Sequence, residues 1–317
     1  MNKPISRRRF ISTTTTAAIG AGILNTTHTA SAMHHKLPKA NFKYCLNMST
    51  IRGQELGMVK EVKAAAKAGY SAIEPWIRTI RGYVDQGGSL KDLKKRIDDL
   101  GLTVESAIGF APWIVDDPEE RAKGLEEAKS DMDLLAQIGG KRLAAPPKGA
   151  TKEAGLDLLA AAERYRALLE VGDEMGVVPQ VEVWGFSKNL QRLGQAVFVA
   201  IESGHPKACV LPDIYHIYKS GSDFTGLKML SKSSVHAFHI NDYPSDPPWE
   251  KIGDKDRVYP GDGIAPMKQI METLVTINPD MVFSLELFNP TYWEQDALKV
   301  AKTGLRKMKA VVEKALG

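Results

Sequence analysis

Met175-Gly176-Val177-Val178-Pro179-Gln180-Val181-Glu182-Val183-Trp184 is the stretch on which the fold turns. The residues before it, 152–175, carry the apolar spacing of a helix, and Gly176 stands where a helix end calls for a left-handed residue. A valine-rich run follows at 178–183, as expected of a strand covered on both faces. Helix, glycine and apolar run together make one αβ step with a short connection. Inside that run Glu182 is a carboxylate flanked by valines, which is costly to bury unless something pairs with it.

Outward from this step the same rhythm recurs along the chain. Apolar runs at 42–48, 71–76, 103–109, 142–145, 178–183, 208–212, 235–240 and 281–287 read as eight strands. Helical patterns at 54–68, 90–100, 119–138, 152–175, 189–203, 267–277 and 296–316 alternate with them, and a weaker one lies near 224–230. Pro118 ahead of Glu119 and Glu120 is a good helix start, with acids at the positive end of the dipole. Eight βα units in about 250 residues match a (β/α)8 TIM barrel. The runner-up, an open doubly wound sheet, calls for a glycine-rich phosphate turn after its first strand. Ser49-Thr50-Ile51-Arg52-Gly53 does not supply one. The expected fold is therefore α/β, a single barrel domain over residues 41–317.

The chain has 317 residues, 43% hydrophobic and 25% charged, with a net charge of +4. The excess is local. Lys3, Arg7, Arg8 and Arg9 lie in the first 32 residues with no acid beside them, and the remainder holds 38 basic and 38 acidic residues. A neutral body argues against nucleic acid as a partner. Ser6-Arg7-Arg8-Arg9-Phe10-Ile11, a modest apolar run to Leu24 and Ala30-Ser31-Ala32 have the parts of a secretory signal of twin-arginine (Tat) type. We expect a signal peptide over 1–32, cleavage after Ala32, a linker over 33–40, engagement of the Tat machinery and a periplasmic or otherwise exported product. The apolar run is too short and too rich in threonine and glycine to span a bilayer, so no stable membrane insertion is expected. Cys45 and Cys209 sit in apolar runs and read as buried thiols, with a disulfide in an exported protein as the alternative. A homo-oligomer remains open.

Chemistry in such a barrel sits at the C-terminal strand ends. There Glu182, Asp213 and Glu286 are acids set among apolar residues on strands five, six and eight, and His239 has the same setting on strand seven. Three carboxylates alone would repel one another, whereas a divalent cation removes the conflict. An oxygen-rich set with one imidazole suits Mn²⁺ first, with Mg²⁺, Co²⁺ or Zn²⁺ acceptable. Glu74 closes the second strand, as either a mouth residue or a local salt bridge. Trp76, Trp113 and Trp184 follow strand ends, where they suit stacking on a sugar or core packing.

These residues resemble the sugar phosphate isomerase/epimerase superfamily, the xylose isomerase-like TIM barrels that include ketose 3-epimerases, hydroxypyruvate isomerases and inosose dehydratases. The resemblance implies metal ligands at Glu182, at Asp213 of Asp213-Ile214-Tyr215-His216, at His239 and at Glu286. It implies Glu182 and Glu286 as base and acid, and His216 and Arg257 (in Arg257-Val258-Tyr259-Pro260-Gly261-Asp262-Gly263) as contacts to substrate oxygens. Glu74, Trp113 and Trp184 are further expected substrate contacts. The implied activity is isomerisation or epimerisation of a non-phosphorylated sugar or keto-sugar through an enediolate. Elimination from a 3-keto-glycoside, or sugar binding without turnover, are the alternatives. A barrel nuclease would need more histidines than the seven present and a basic face. Seventeen residues separate His239 from Arg257, a longer loop than in the ketose epimerases, which suggests a different substrate edge.

Overall fold

The computed structural model describes residues 37–317. The expected signal peptide and the first part of the expected linker lie outside them. Eight parallel strands form the barrel wall: β1 (Lys43–Asn47), β2 (Ala72–Glu74), β3 (Thr103–Val104), β4 (Arg142–Ala145), β5 (Val178–Glu182), β6 (Val210–Leu211), β7 (Ala237–Ile240) and β8 (Val282–Leu285). Pairing runs β3-β2-β1-β8-β7 and β4-β5-β6. Backbone bonds close both gaps. Ala107 N–H donates to Arg142 O (3.0 Å) beside β4, and His239 N–H donates to Pro212 O (3.0 Å) between β6 and β7. Every strand foreseen from the sequence is present, several of them shorter than expected.

The helices are α1 (Met58–Ala68), α2 (Ile77–Asp85), α3 (Leu90–Asp99), α4 (Pro118–Gln137), α5 (Leu158–Met175), α6 (Leu193–Glu202), α7 (Ile214–Lys219), α8 (Met267–Ile277), α9 (Pro290–Trp293) and α10 (Ala297–Leu316). Several helices differ from expectation for local reasons, and α6 begins at Leu193 rather than 189. Residues Met48–Gln54 form a 3-10 helix, so α1 starts later than 54. α5 starts at Leu158 rather than 152, where Asp157 accepts from Leu159 N–H and Ala160 N–H. The weak pattern near 224–230 is a 3-10 helix, Phe224–Met229, capped by Asp223. The short helices α2, α7 and α9 carried no clear period in the sequence. No helix among the described residues is long and apolar enough to cross a membrane. Cys45 and Cys209 are free, buried thiols.

Strand alternation decides what the barrel interior holds. On β8, Leu285 faces outward against α10, where a Cβ at Gly304 would fall 2.1 Å from Leu285 Cδ2. Ser284 and the following Glu286 therefore face inward. Cys45 and Asn47 of β1 lie opposite Ser284 and Glu74 respectively. Polar residues thus collect along the axis, while Leu46, Ile73, Phe238 and Phe283 fill the surrounding core.

The long segment after β7 returns to the barrel in a defined way. Asp242 and Val258 exchange backbone hydrogen bonds as an antiparallel bridge. The buried Asp242 carboxylate also accepts from the backbone N–H groups of Tyr243, Gly261, Gly263 and Ala265, at 2.8–3.1 Å. This clasp places Arg257 over the barrel despite the length of the loop.

Candidate active site and metal centre

His239 stands at the centre of the mouth with no exposed surface. Its Nε2–H donates to Glu74 Oε2 (3.0 Å). The same oxygen accepts from Ser284 Oγ (2.6 Å) and Asn47 Nδ2 (2.9 Å). With Nε2 turned to Glu74, Nδ1 points the other way, and it has no hydrogen-bond partner among the described residues. Around it stand Glu286 Oε2 at 3.2 Å, Asp213 Oδ2 at 3.7 Å and Glu182 Oε1 at 3.8 Å.

Glu182, His239 and Glu286 offer ligand atoms within 4.8 Å of one another. Asp213 stands beside them with its oxygens engaged. Oδ1 accepts from His216 N–H (2.8 Å) and so caps α7, while Oδ2 accepts from Asn241 Nδ2 (2.9 Å) and Arg257 Nη1 (3.0 Å). An unpartnered buried imidazole nitrogen facing three carboxylates is a donor set that fits a divalent cation. The Glu74 bond to the far nitrogen is the outer-shell contact that orients a ligating histidine.

Electrostatics within the cluster are uneven. Burial pushes the Glu182 carboxyl up to about 8, reinforced by Glu286, Glu74 and Asp213 and opposed by His239. Burial likewise pushes Asp213 up to about 6, against the pull of Arg257. Burial pushes Glu286 up as well, but His239 and Arg257 outweigh it and hold the carboxyl below the usual range. Four carboxyls share this space with one imidazole and one guanidinium, a surplus of negative charge that a divalent cation would neutralise.

Arg257 is buried, and its guanidinium bonds Glu286 Oε2 (2.8 Å), Asp213 Oδ2 (3.0 Å) and Asp254 Oδ1 (2.6 Å). His216 stands between two donors, with Nδ1 3.2 Å from Gly185 N–H and Nε2 3.1 Å from Arg257 Nη2. Burial and then Arg257 keep His216 well below the ordinary histidine range, so it stays neutral. Gly185 has no room for a side chain, since a Cβ would lie 2.3 Å from His216 O.

A cavity of about 150 Å³ opens above these groups. Glu182, Glu286, His216, Arg257 and Asp254 form its polar floor, and aromatic rings form its wall. The rings run as a collar, Phe288, Trp76, Phe110, Trp184 and Phe186, with neighbouring centroids 5.1–6.2 Å apart.

The structure thus brings together Glu182, Asp213, His216, His239, Arg257 and Glu286, with Trp184 in the wall. Two expected substrate contacts are corrected. Glu74 does not line the cavity, because it is fully buried beneath His239. Trp113 is a core residue, 1% exposed, donating from Nε1 to Pro146 O (2.9 Å) and packing on Tyr165. Trp113→Phe should therefore leave kcat/KM nearly unchanged while lowering stability by about 1–3 kcal/mol, read by thermal melting beside an activity assay. Phe110, Phe186, Phe288 and Asp254 went unforeseen because loops bring them in. Asn47, Ser284 and Asn241 are small polar residues in apolar runs, a signal that could have found them.

A model of the family described as xylose isomerase-like TIM barrel matches residues 62–311. The inosose isomerase of Bacillus velezensis is 26% identical over 279 residues, covering 86% of this chain and 98% of that protein. Among solved structures, the IolI protein with a bound zinc atom superposes with a TM-score of 0.80 at 22% identity, over 86% of this chain and 99% of the other. An L-ribulose 3-epimerase superposes with a TM-score of 0.69 at 18% identity, over 86% and 95%.

Proposed function

Because this chain belongs to the xylose isomerase-like TIM barrel family, we propose that it is a divalent-metal-dependent sugar isomerase or epimerase. The observation that carries this reading is the unpartnered His239 Nδ1 facing Glu182, Asp213 and Glu286 just beneath the floor of a sugar-sized cavity. The inosose isomerase relative and the epimerase neighbour support the same chemistry. Mn²⁺ is the first expectation for an oxygen-rich set with one imidazole, and the zinc-bound neighbour keeps Zn²⁺ in view.

Held by Glu182, Asp213, His239 and Glu286, the cation would polarise the sugar's carbonyl. The chain's own residues do the rest. Glu182 and Glu286 flank the carbon beside that carbonyl, one carboxylate accepting its proton and the other returning a proton to the enediolate. The His216 ring and the Arg257 guanidinium, 3.1 Å apart, hold substrate oxygens. The aromatic collar keeps bulk water from the carbanion. The twin-arginine label proposed for residues 1–32 supports an exported enzyme and a non-phosphorylated substrate.

The collar favours one second reading. A wall of rings ending in Phe186, 45% exposed at the rim, suits an apolar aglycone, so elimination from a 3-keto-glycoside can use the same proton abstraction. Incubation of Mn²⁺-loaded protein in D₂O with free ketoses and 3-keto-glycosides, followed by NMR, tests both. Deuterium should enter the carbon beside the carbonyl, and the product separates isomerisation from loss of the aglycone. Folded, loaded protein that exchanges no proton across the panel would make it a binder.

A further inference from the structure

Trp76 follows β2 and forms part of the cavity wall, only 6% exposed, yet its indole Nε1–H has no acceptor among the described residues. Two guanidiniums stack on this one indole, Arg78 at 4.3 Å and Arg52 at 4.9 Å from the ring centre. Arg52 also lies 5.1 Å from the Phe288 ring centre and 4.9 Å from that of Trp293, so its position is fixed by three aromatics. Among the described residues neither arginine has an ion pair or a side-chain hydrogen bond. Arg257, by contrast, is matched by three carboxylates.

Two like charges beside one ring repel. Burial and then Arg78 both weaken the charged state of Arg52. The acids that act on Arg52, Glu286 and Asp254, are already taken by Arg257, and Glu61 acts on Arg78 only from beyond ion-pair reach. Arg52 comes from the 3-10 helix after β1 and Arg78 from the start of α2 after β2. Both therefore sit on the mouth face through which substrate enters.

We propose that Arg52 and Arg78, stacked on the Trp76 indole, form an anion subsite at this corner of the mouth, which receives a carboxylate carried by the sugar on the end remote from its carbonyl. The inference rests on the sugar-processing assignment above and sharpens it to an acidic sugar. A guanidinium pair offers the planar, doubled donors that such oxyanions accept, and a neutral sugar leaves both charges unanswered.

The test titrates the Mn²⁺-loaded full chain with D-glucuronate, D-glucose 6-phosphate and D-glucose, followed by calorimetry. D-Glucuronate should bind about tenfold or more tightly than glucose, and a preference confined to D-glucose 6-phosphate overturns the carboxylate assignment. Arg78→Gln, at an exposed position, and Arg52→Gln should each remove most of that preference and leave the glucose affinity in place. Equal affinity for all three sugars overturns the proposal. So does a preference that survives both substitutions, since the anion then sits elsewhere, on the metal for example. Deuterium exchange into neutral ketoses is read independently, so failure of the subsite and failure of the enzyme assignment are distinguishable.

Discussion

Glu182→Gln removes turnover while leaving the protein as stable as before or more so. Substituting a group that transfers the proton costs about 10²–10⁴ in rate, and the amide cannot accept a proton from carbon. Stability should hold because Glu182 has no hydrogen-bond partner among the described residues and burial already favours its neutral form, which the amide matches. Glu286→Gln should lose turnover to the same extent but also lower the melting temperature, because Glu286 Oε2 accepts from Arg257 and Oε1 from Asn47. Deuterium wash-in, kcat/KM and thermal melts on the two variants make the comparison. Turnover retained by either variant would remove these two residues from the proton-transfer roles.

Arg257→Leu has the largest expected effect on the fold. It strips the matching charge from Asp213 and Glu286, both buried, and breaking such a pair costs about 3–5 kcal/mol. Excess Mn²⁺ should recover part of this loss, because a cation bound by the same carboxylates favours the folded state by mass action. The check is a thermal melt of the variant with and without Mn²⁺, alongside the parent chain. A variant that melts with the parent shows that the buried carboxylates do not depend on this guanidinium.

The four strand-borne polar residues were legible in the sequence because each breaks an apolar run, and a barrel explains why such breaks gather in one place. The hydrogen-bonding partners of Glu74 and Asp213 were not. Asn47 and Ser284 hold Glu74, and Asn241 holds Asp213, through contacts that span 27 to 210 positions of sequence. Trp113 misled for a related reason. It follows the third strand much as Trp184 follows the fifth, and only its long-range contacts with Pro146 and Tyr165 sink it into the core. Glu74 ends its strand one layer below the cavity, a depth that one residue of strand length decides and no local pattern announces. Helix starts were misjudged where polar caps such as Asp157 override an apolar period that runs on past them.

The Asp242 clasp separates two design problems that share one loop. Residues 244–251 hang between anchored ends, are largely exposed, and contribute nothing to the cavity floor. Their length and composition can drift without shifting the guanidinium that follows. A lineage can therefore redecorate the outer lip of this barrel as an exchangeable cassette, trying new partners at the periphery while the buried carboxylates and imidazole keep their places.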